Sequence, residues 1–209
     1  MTVGWHHPPV RAAALACLLG VLATAAASEP AAAASARVTF VGDSVAASIE
    51  YAPGARRVLR NGLRVTLDLR VCRRLVARSC SFQGATPPTA LEAVRRRGRS
   101  LGDVLVVDVG YNEPARGYGQ GIDHVMRAAL AQGARAVVWV TLRETRPLYH
   151  ATNVAIKAAA KRWPQLVVAD WNAHSRGRPW FGKDGLHLTP TGASELAAFV
   201  RGHVLRAAV

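Results

Sequence analysis

The chain has 209 residues and a formal net charge of +14, from 24 Arg and 3 Lys against 13 acidic residues, and half of its residues are hydrophobic. That length holds one well-buried domain and rarely two, and the hydrophobic fraction excludes a disordered or collagen-like chain. The charge favours anionic surfaces such as cell-wall polymers or acidic headgroups. The arginines are scattered apart from Arg95-Arg96-Arg97 and Arg99, with no interleaved aromatics, so no nucleic-acid partner is expected.

In chain order, Arg11 precedes an uncharged Ala/Leu-rich stretch, with small-residue cleavage patterns at Ala25-Ala26-Ala27 and again at Ala34-Ser35-Ala36. This is the form of a secretory signal, expected over residues 1–27. Its apolar part is shorter than the roughly 20 residues that cross a bilayer, which favours cleavage over an uncleaved N-terminal anchor. Residues 28–36 are alanine-rich without periodicity and read as a disordered lead-in, leaving 37–209 as the folded domain. Val38–Val41, Val104–Val109 and Ala136–Leu142 are near-continuous apolar runs, as expected of strands buried on both faces. Val65–Val71 and Leu166–Ala169 bring the strands to five.

Helical patterns lie between these runs. One covers 45–60 with a break at Pro53-Gly54, and one runs from the Thr89–Glu92 capping box to about Arg97. Two more cover 121–132 and 153–163, and the last runs from the cap Thr189-Pro190 to about Leu205. Such alternation predicts a three-layer α/β/α sandwich around a central parallel sheet. Cys72 and Cys80, an even pair in an exported chain, are expected to form a disulfide, with two buried free thiols as the alternative.

In a parallel sheet, sites lie beyond the carboxyl ends of the strands. Gly42-Asp43-Ser44 follows the first strand and Gly110-Tyr111-Asn112-Glu113 the third, and Asp184-Gly185-Leu186-His187 precedes the last helix. A serine hydroxyl is a weak nucleophile until a base takes its proton. His187 can be that base, with Asp184 holding its Nδ1–H. Taken alone, Ser44 equally fits a helix N-cap. Arg143, Glu144, Trp171 and Trp180 suit either a substrate pocket or the core.

Together these blocks resemble the SGNH, or GDSL-like, hydrolases. The first and third blocks match with Val45 and Glu113 where Leu and Asp are usual, and Asp184 to His187 fits fully. The second-block glycine is Gly84, with Gly62 as the fallback. The segment Val71 to Cys80, with Asp170-Trp171-Asn172 and Trp180-Phe181, is similar to exported actinobacterial members. The resemblance implies a flavodoxin-like strand order, Ser44, His187 and Asp184 as the catalytic triad, and an oxyanion hole of the Ser44 N–H, the Gly84 N–H and the Asn112 amide. It implies a secreted or envelope-associated monomeric serine esterase or deacylase that forms an acyl-enzyme, without cofactor or metal. Its substrate would be an O-acylated cell-wall polysaccharide or a lipid ester. Two alternatives share the fold: an acyltransferase to a sugar hydroxyl, and a non-catalytic basic cell-wall-binding protein.

Overall fold

The computed structural model of the chain describes residues 1–4, 35–114 and 116–209. The chain divides into two units, Met1–Ala33 and Ala34–Val209, and every strand and helix among the described residues belongs to the second. All of the expected signal beyond residue 4, and most of the lead-in, lie outside the described residues. Ala36, placed in the lead-in by the sequence, already joins the sheet: its carbonyl accepts the Arg64 N–H at 3.0 Å.

Five strands pair in parallel in the order β2-β1-β3-β4-β5: β1 (Arg37–Gly42), β2 (Arg64–Leu69), β3 (Val104–Asp108), β4 (Ala136–Val140) and β5 (Leu166–Ala169). The order is the flavodoxin-like one, with the chain reversing its direction of travel at β1. The period-two alternation of a strand sends neighbouring side chains to opposite faces. Val38, Phe40, Val104, Val106, Val138 and Val140 therefore pack on one face, under α1 (Ser44–Tyr51), α2 (Pro53–Arg60) and α7 (Pro190–Ala207). Val41, Leu105, Val107, Val137 and Trp139 pack on the other, under α3 (Ala90–Arg97), α4 (Tyr118–Ala131) and α5 (Pro147–Ala160). The three interior strands β1, β3 and β4 are buried almost throughout, whereas the edge strands β2 and β5 are partly exposed. That is why only the interior three read as continuous apolar runs.

Two helices depart from the sequence expectation. The helix α5 starts at Pro147, six residues before the amphipathic stretch, because its first turns bury polar side chains that interrupt the apolar period. Among them, the Asn153 amide accepts the Leu142 N–H and donates to the Leu142 carbonyl, both at 2.7 Å. It thereby satisfies the backbone where the chain leaves β4. A short α6 (Trp171–His174) is started by Asp170, whose carboxylate accepts the Ala173 N–H at 3.2 Å. Four residues are too few for periodicity to reveal.

Cys72 and Cys80 form the expected disulfide, eight residues apart. It closes the segment that runs from the carboxyl end of β2 toward α3. In the chain-entropy model a loop of this size contributes about 2.5 kcal/mol. The Cys72→Ser/Cys80→Ser variant is therefore expected to melt roughly 5–10 °C below the wild type, measured by circular dichroism. A variant with an unchanged Tm would remove the disulfide from the stability of this domain.

Candidate active site

The site begins with steric demand at the end of β1. A Cβ on Gly42 would stand 2.4 Å from the Ala46 Cβ and 2.7 Å from Leu69 Cδ2, so only glycine lets the chain turn straight from β1 into α1. Asp43 caps the helix: its fully buried carboxylate accepts the Val45 N–H at 3.1 Å through one oxygen. The other oxygen accepts the Gly110 and Tyr111 N–H groups at 3.0 and 3.1 Å, across to the loop after β3. Burial pushes the Asp43 carboxyl up to about 6, against the lowering effect of these N–H groups and of nearby His187. At neutral pH it is therefore the anion that the three donors require. Asp43 takes the N-cap role that the sequence left open for Ser44, and the Ser44 hydroxyl stays available.

That hydroxyl meets His187, from the opposite end of the chain, with Ser44 Oγ 3.1 Å from Nε2. The histidine sits on a hairpin closed by Gly182 N–H to the His187 carbonyl at 2.7 Å and Thr189 N–H to the Trp180 carbonyl at 2.9 Å. Asp184 curls back within this hairpin. One of its oxygens accepts the Leu186 and His187 N–H groups at 2.9 and 3.0 Å, and the other lies 2.6 Å from His187 Nδ1. The hydrogen bond to His187, with those two N–H groups, lowers the Asp184 carboxyl to about 2. Arg143, in the loop after β4, braces the hairpin: its guanidinium donates to the Gly185 carbonyl and lies 3.8 Å from the centroid of the Phe181 ring. The His187 and Asp184 side chains are 49% and 51% exposed, so this pair opens directly to solvent.

Asn112 lies in the loop after β3, directly after Gly110 and Tyr111, whose N–H groups bond Asp43. Its amide Nδ2 donates to the Arg73 carbonyl at 3.3 Å, and its own backbone carbonyl accepts from Arg74 Nε at 2.6 Å. The segment that faces Asn112 is thus Arg73-Arg74, and Gly84 does not take the position expected of it. Gly84 lies at φ +77° in an exposed turn whose ends are joined by Phe82 N–H to Ala85 carbonyl at 2.9 Å and the reverse bond at 3.0 Å. It is a glycine of turn geometry, since a pair of left-handed residues, Gln83 and Gly84, closes a two-residue hairpin. Gly62, the fallback, has φ +76° in the turn before β2, at the amino end of that strand. It is remote from the carboxyl edge where Ser44 lies.

Two residues of the site, Arg73 and Asp108, escaped the sequence, and a third, Arg143, has a part other than the one weighed for it. Arg73 is fully buried, with its guanidinium donating to the Pro88 carbonyl at 3.0 Å and to the Asp68 carboxylate at 2.8 Å. Among 24 arginines nothing local marks it. Asp108, level with Gly42 across the β1–β3 ladder, is buried with one carboxyl oxygen unpartnered. Burial and the neighbouring Asp43 push its carboxyl well above the ordinary range. Arg143, weighed as a pocket or core residue, clamps the hairpin that carries Asp184 and His187.

Glu113 explains its own departure from the usual Asp. It is nearly buried, and its carboxylate reaches the Leu75 N–H at 2.5 Å, tying the β3 loop to the disulfide-closed segment. Burial raises it to about 7 from 4.5. A carboxyl whose folded value lies above its unfolded one contributes stability that is complete below the unfolded value and is lost as pH rises through the folded one. Glu113→Gln keeps the acceptor and removes the charge. Between pH 4.5 and pH 7 the wild type is expected to lose on the order of 3 kcal/mol relative to this variant, read from Tm against pH for the two proteins. A difference independent of pH would show that Glu113 is not the titrating group.

No family model and no curated relative matches the sequence. Solved structures match over most of its length. A carbohydrate acetylesterase family member from Sinorhizobium meliloti superposes with a TM-score of 0.63 at 13% identity, over 83% of this chain and 99% of that one. The psychrotrophic esterase EstA from Pseudoalteromonas sp. gives 0.56 at 12% identity, over 81% of this chain and 97% of that one. At such identities the likeness establishes the fold, which is the five-stranded parallel α/β sandwich described above.

Proposed function

We propose that this protein is a secreted serine esterase of the SGNH type, cleaving carboxylic esters through Ser44, His187 and Asp184. The observation that carries this reading is the 3.1 Å approach of Ser44 Oγ to His187 Nε2 across 143 residues of sequence. With Asp184 on the other ring nitrogen, it gives nucleophile, base and orienter in order. The likeness to structures titled as esterases supports the same reading. The Cys72–Cys80 disulfide supports an oxidising, extracytoplasmic setting.

In this scheme His187 Nε2 accepts the Ser44 proton as Oγ adds to the ester carbonyl carbon. Asp184 stabilises the imidazolium, and the same proton then passes to the departing alcohol oxygen as the C–O bond breaks. Water, deprotonated by His187, hydrolyses the acyl-enzyme, and the open triad favours water over a bound sugar as the acceptor. The developing oxyanion meets the Ser44 N–H in the first turn of α1, where the helix dipole is positive. It also meets the second amide hydrogen of Asn112, whose first is held by the Arg73 carbonyl. Ester groups on an anionic or neutral cell-wall polysaccharide suit the exposed triad and the net charge of +14 better than esters requiring an enclosed acyl tunnel.

Turnover of p-nitrophenyl acetate by the purified wild type, with labelling of Ser44 by a fluorophosphonate, is the direct test. Ser44→Ala is expected to lower kcat about 10⁴-fold or more and to abolish labelling; equal rates in the two proteins would overturn the triad. Asn112→Ala is expected to lower kcat about 10²–10³-fold with KM little changed, as befits a donor that acts on the transition state.

A further inference from the structure

Outside the triad, one cleft gathers side chains that the catalytic scheme leaves unused. Tyr51 and Phe82, the two most exposed aromatic residues among those described, at 77% and 48%, both line it. An exposed aromatic gives up the hydrophobic gain of burial, so two that converge on one cleft need an explanation that a single one would not. The cleft is open to solvent and has a volume of about 530 Å³, within the range of ligand sites. Residues with hydrogen-bonding groups, Glu50, Arg70 and Gln83, line it as well, beside Pro87.

The backbone that carries both aromatics is tied to regular structure or to a crosslink. Tyr51 is the last residue of α1, the helix that Ser44 begins. Phe82 starts the two-residue turn described above, whose flanks are joined by Ser81 Oγ and Thr86 Oγ1 at 2.6 Å. Cys80, two residues before it, is covalently held by Cys72. This is the structural use of Gly84: it closes the turn that presents Phe82. The cleft also lies at the catalytic edge of the sheet. The Arg70 N–H donates to the carbonyl of Gly42 at 3.0 Å, and the seven-residue step along α1 from Ser44 to Tyr51 spans roughly 10 Å.

We infer that the cleft between Tyr51 and Phe82 is a glycan subsite that holds the polysaccharide chain bearing the ester cleaved at Ser44. A pyranose ring presents an apolar C–H face, whose positive hydrogens suit the negative face of an aromatic ring. Its rim of hydroxyls donates and accepts, which matches Glu50, Arg70 and Gln83. A fatty acyl chain has no use for those polar groups and buries poorly between walls open to solvent. The identification of the chain as an ester-bearing one rests on the esterase function proposed above; binding of the glycan itself does not.

Two measurements on Tyr51→Ala/Phe82→Ala test the inference, with an unchanged Tm verifying folding. In the Ser44→Ala background, chitohexaose is expected to bind by calorimetry and to lose roughly tenfold in affinity when both aromatics are removed. Undetectable binding, or the same affinity with and without the aromatics, would overturn the subsite. With Ser44 restored, the ratio of kcat/KM on O-acetylated xylohexaose to that on p-nitrophenyl acetate is expected to fall roughly tenfold. A fall instead in the ratio of p-nitrophenyl decanoate to acetate would make the cleft an acyl site and refute the glycan. If the wild type turns over none of these esters, the esterase function fails, and the calorimetry still decides the cleft.

Discussion

The buried carboxylate of Asp43 is the constraint on which the rest of the site depends. It accepts N–H groups from Val45, Gly110 and Tyr111, and so joins the turn that carries Ser44 to the loop that carries Asn112. Its own N–H donates to the Asp108 carbonyl at 2.9 Å, extending the β1–β3 ladder by one step. Burying a carboxylate is unfavourable, and its raised titration, near 6, records that. Three backbone donors and the positive end of α1 offset the cost. A neutral residue of the same size would keep the turn but supply fewer acceptors, leaving buried N–H groups unpaired. The placing of Ser44 against the Asn112 loop is thus set by the carboxylate of the residue between Gly42 and Ser44.

His187, the proposed base, is held by a different principle. His187 and Asp184 lie on a half-exposed hairpin, where burial cannot hold them in place. The loop is organised instead by its own backbone bonds, by the Arg143 guanidinium on the Gly185 carbonyl, and by the seating of the hairpin on α7. At that seat a Cβ on Gly192 would meet the Trp180 carbonyl oxygen at 2.0 Å, so glycine in the first turn of α7 permits the contact. Trp180 in turn stacks on the buried Trp171, with ring centroids 5.6 Å apart. The histidine is therefore anchored through an aromatic cluster at the carboxyl end of β5, far in sequence from the serine it meets.

The large surplus of arginine has a structural side that net charge conceals. Arg73, Arg74 and Arg143 each donate to backbone carbonyls of irregular segments: Pro88, Asn112 and Gly185 respectively. A planar guanidinium with five donors suits loops whose carbonyls have no ladder to join. Around this site the arginines act as crosslinks between loops, and lysine, with its single point of attachment, would not replace them.

Much of the architecture was legible because its determinants are local. Apolar runs identified the interior strands, since residues such as Val106 and Trp139 are buried whichever way they point. The Thr89–Glu92 capping box and the Thr189-Pro190 cap marked helix starts through bonds within three or four residues. Gly42-Asp43-Ser44 and Asp184 to His187 were recognisable because the turn, the cap and the Asp–His pair are each made inside one segment. Tertiary structure alone decided which backbone faces Asn112: Gly84 had the right residue type, but the loop closed by Cys72 and Cys80 brings Arg73 there instead. It also decided that Asp43 rather than Ser44 caps α1, that Glu113 reaches Leu75, and that Tyr51 and Phe82 share a cleft. Each of these depends on where segments far apart in the chain are brought together, and local pattern carries no record of that distance.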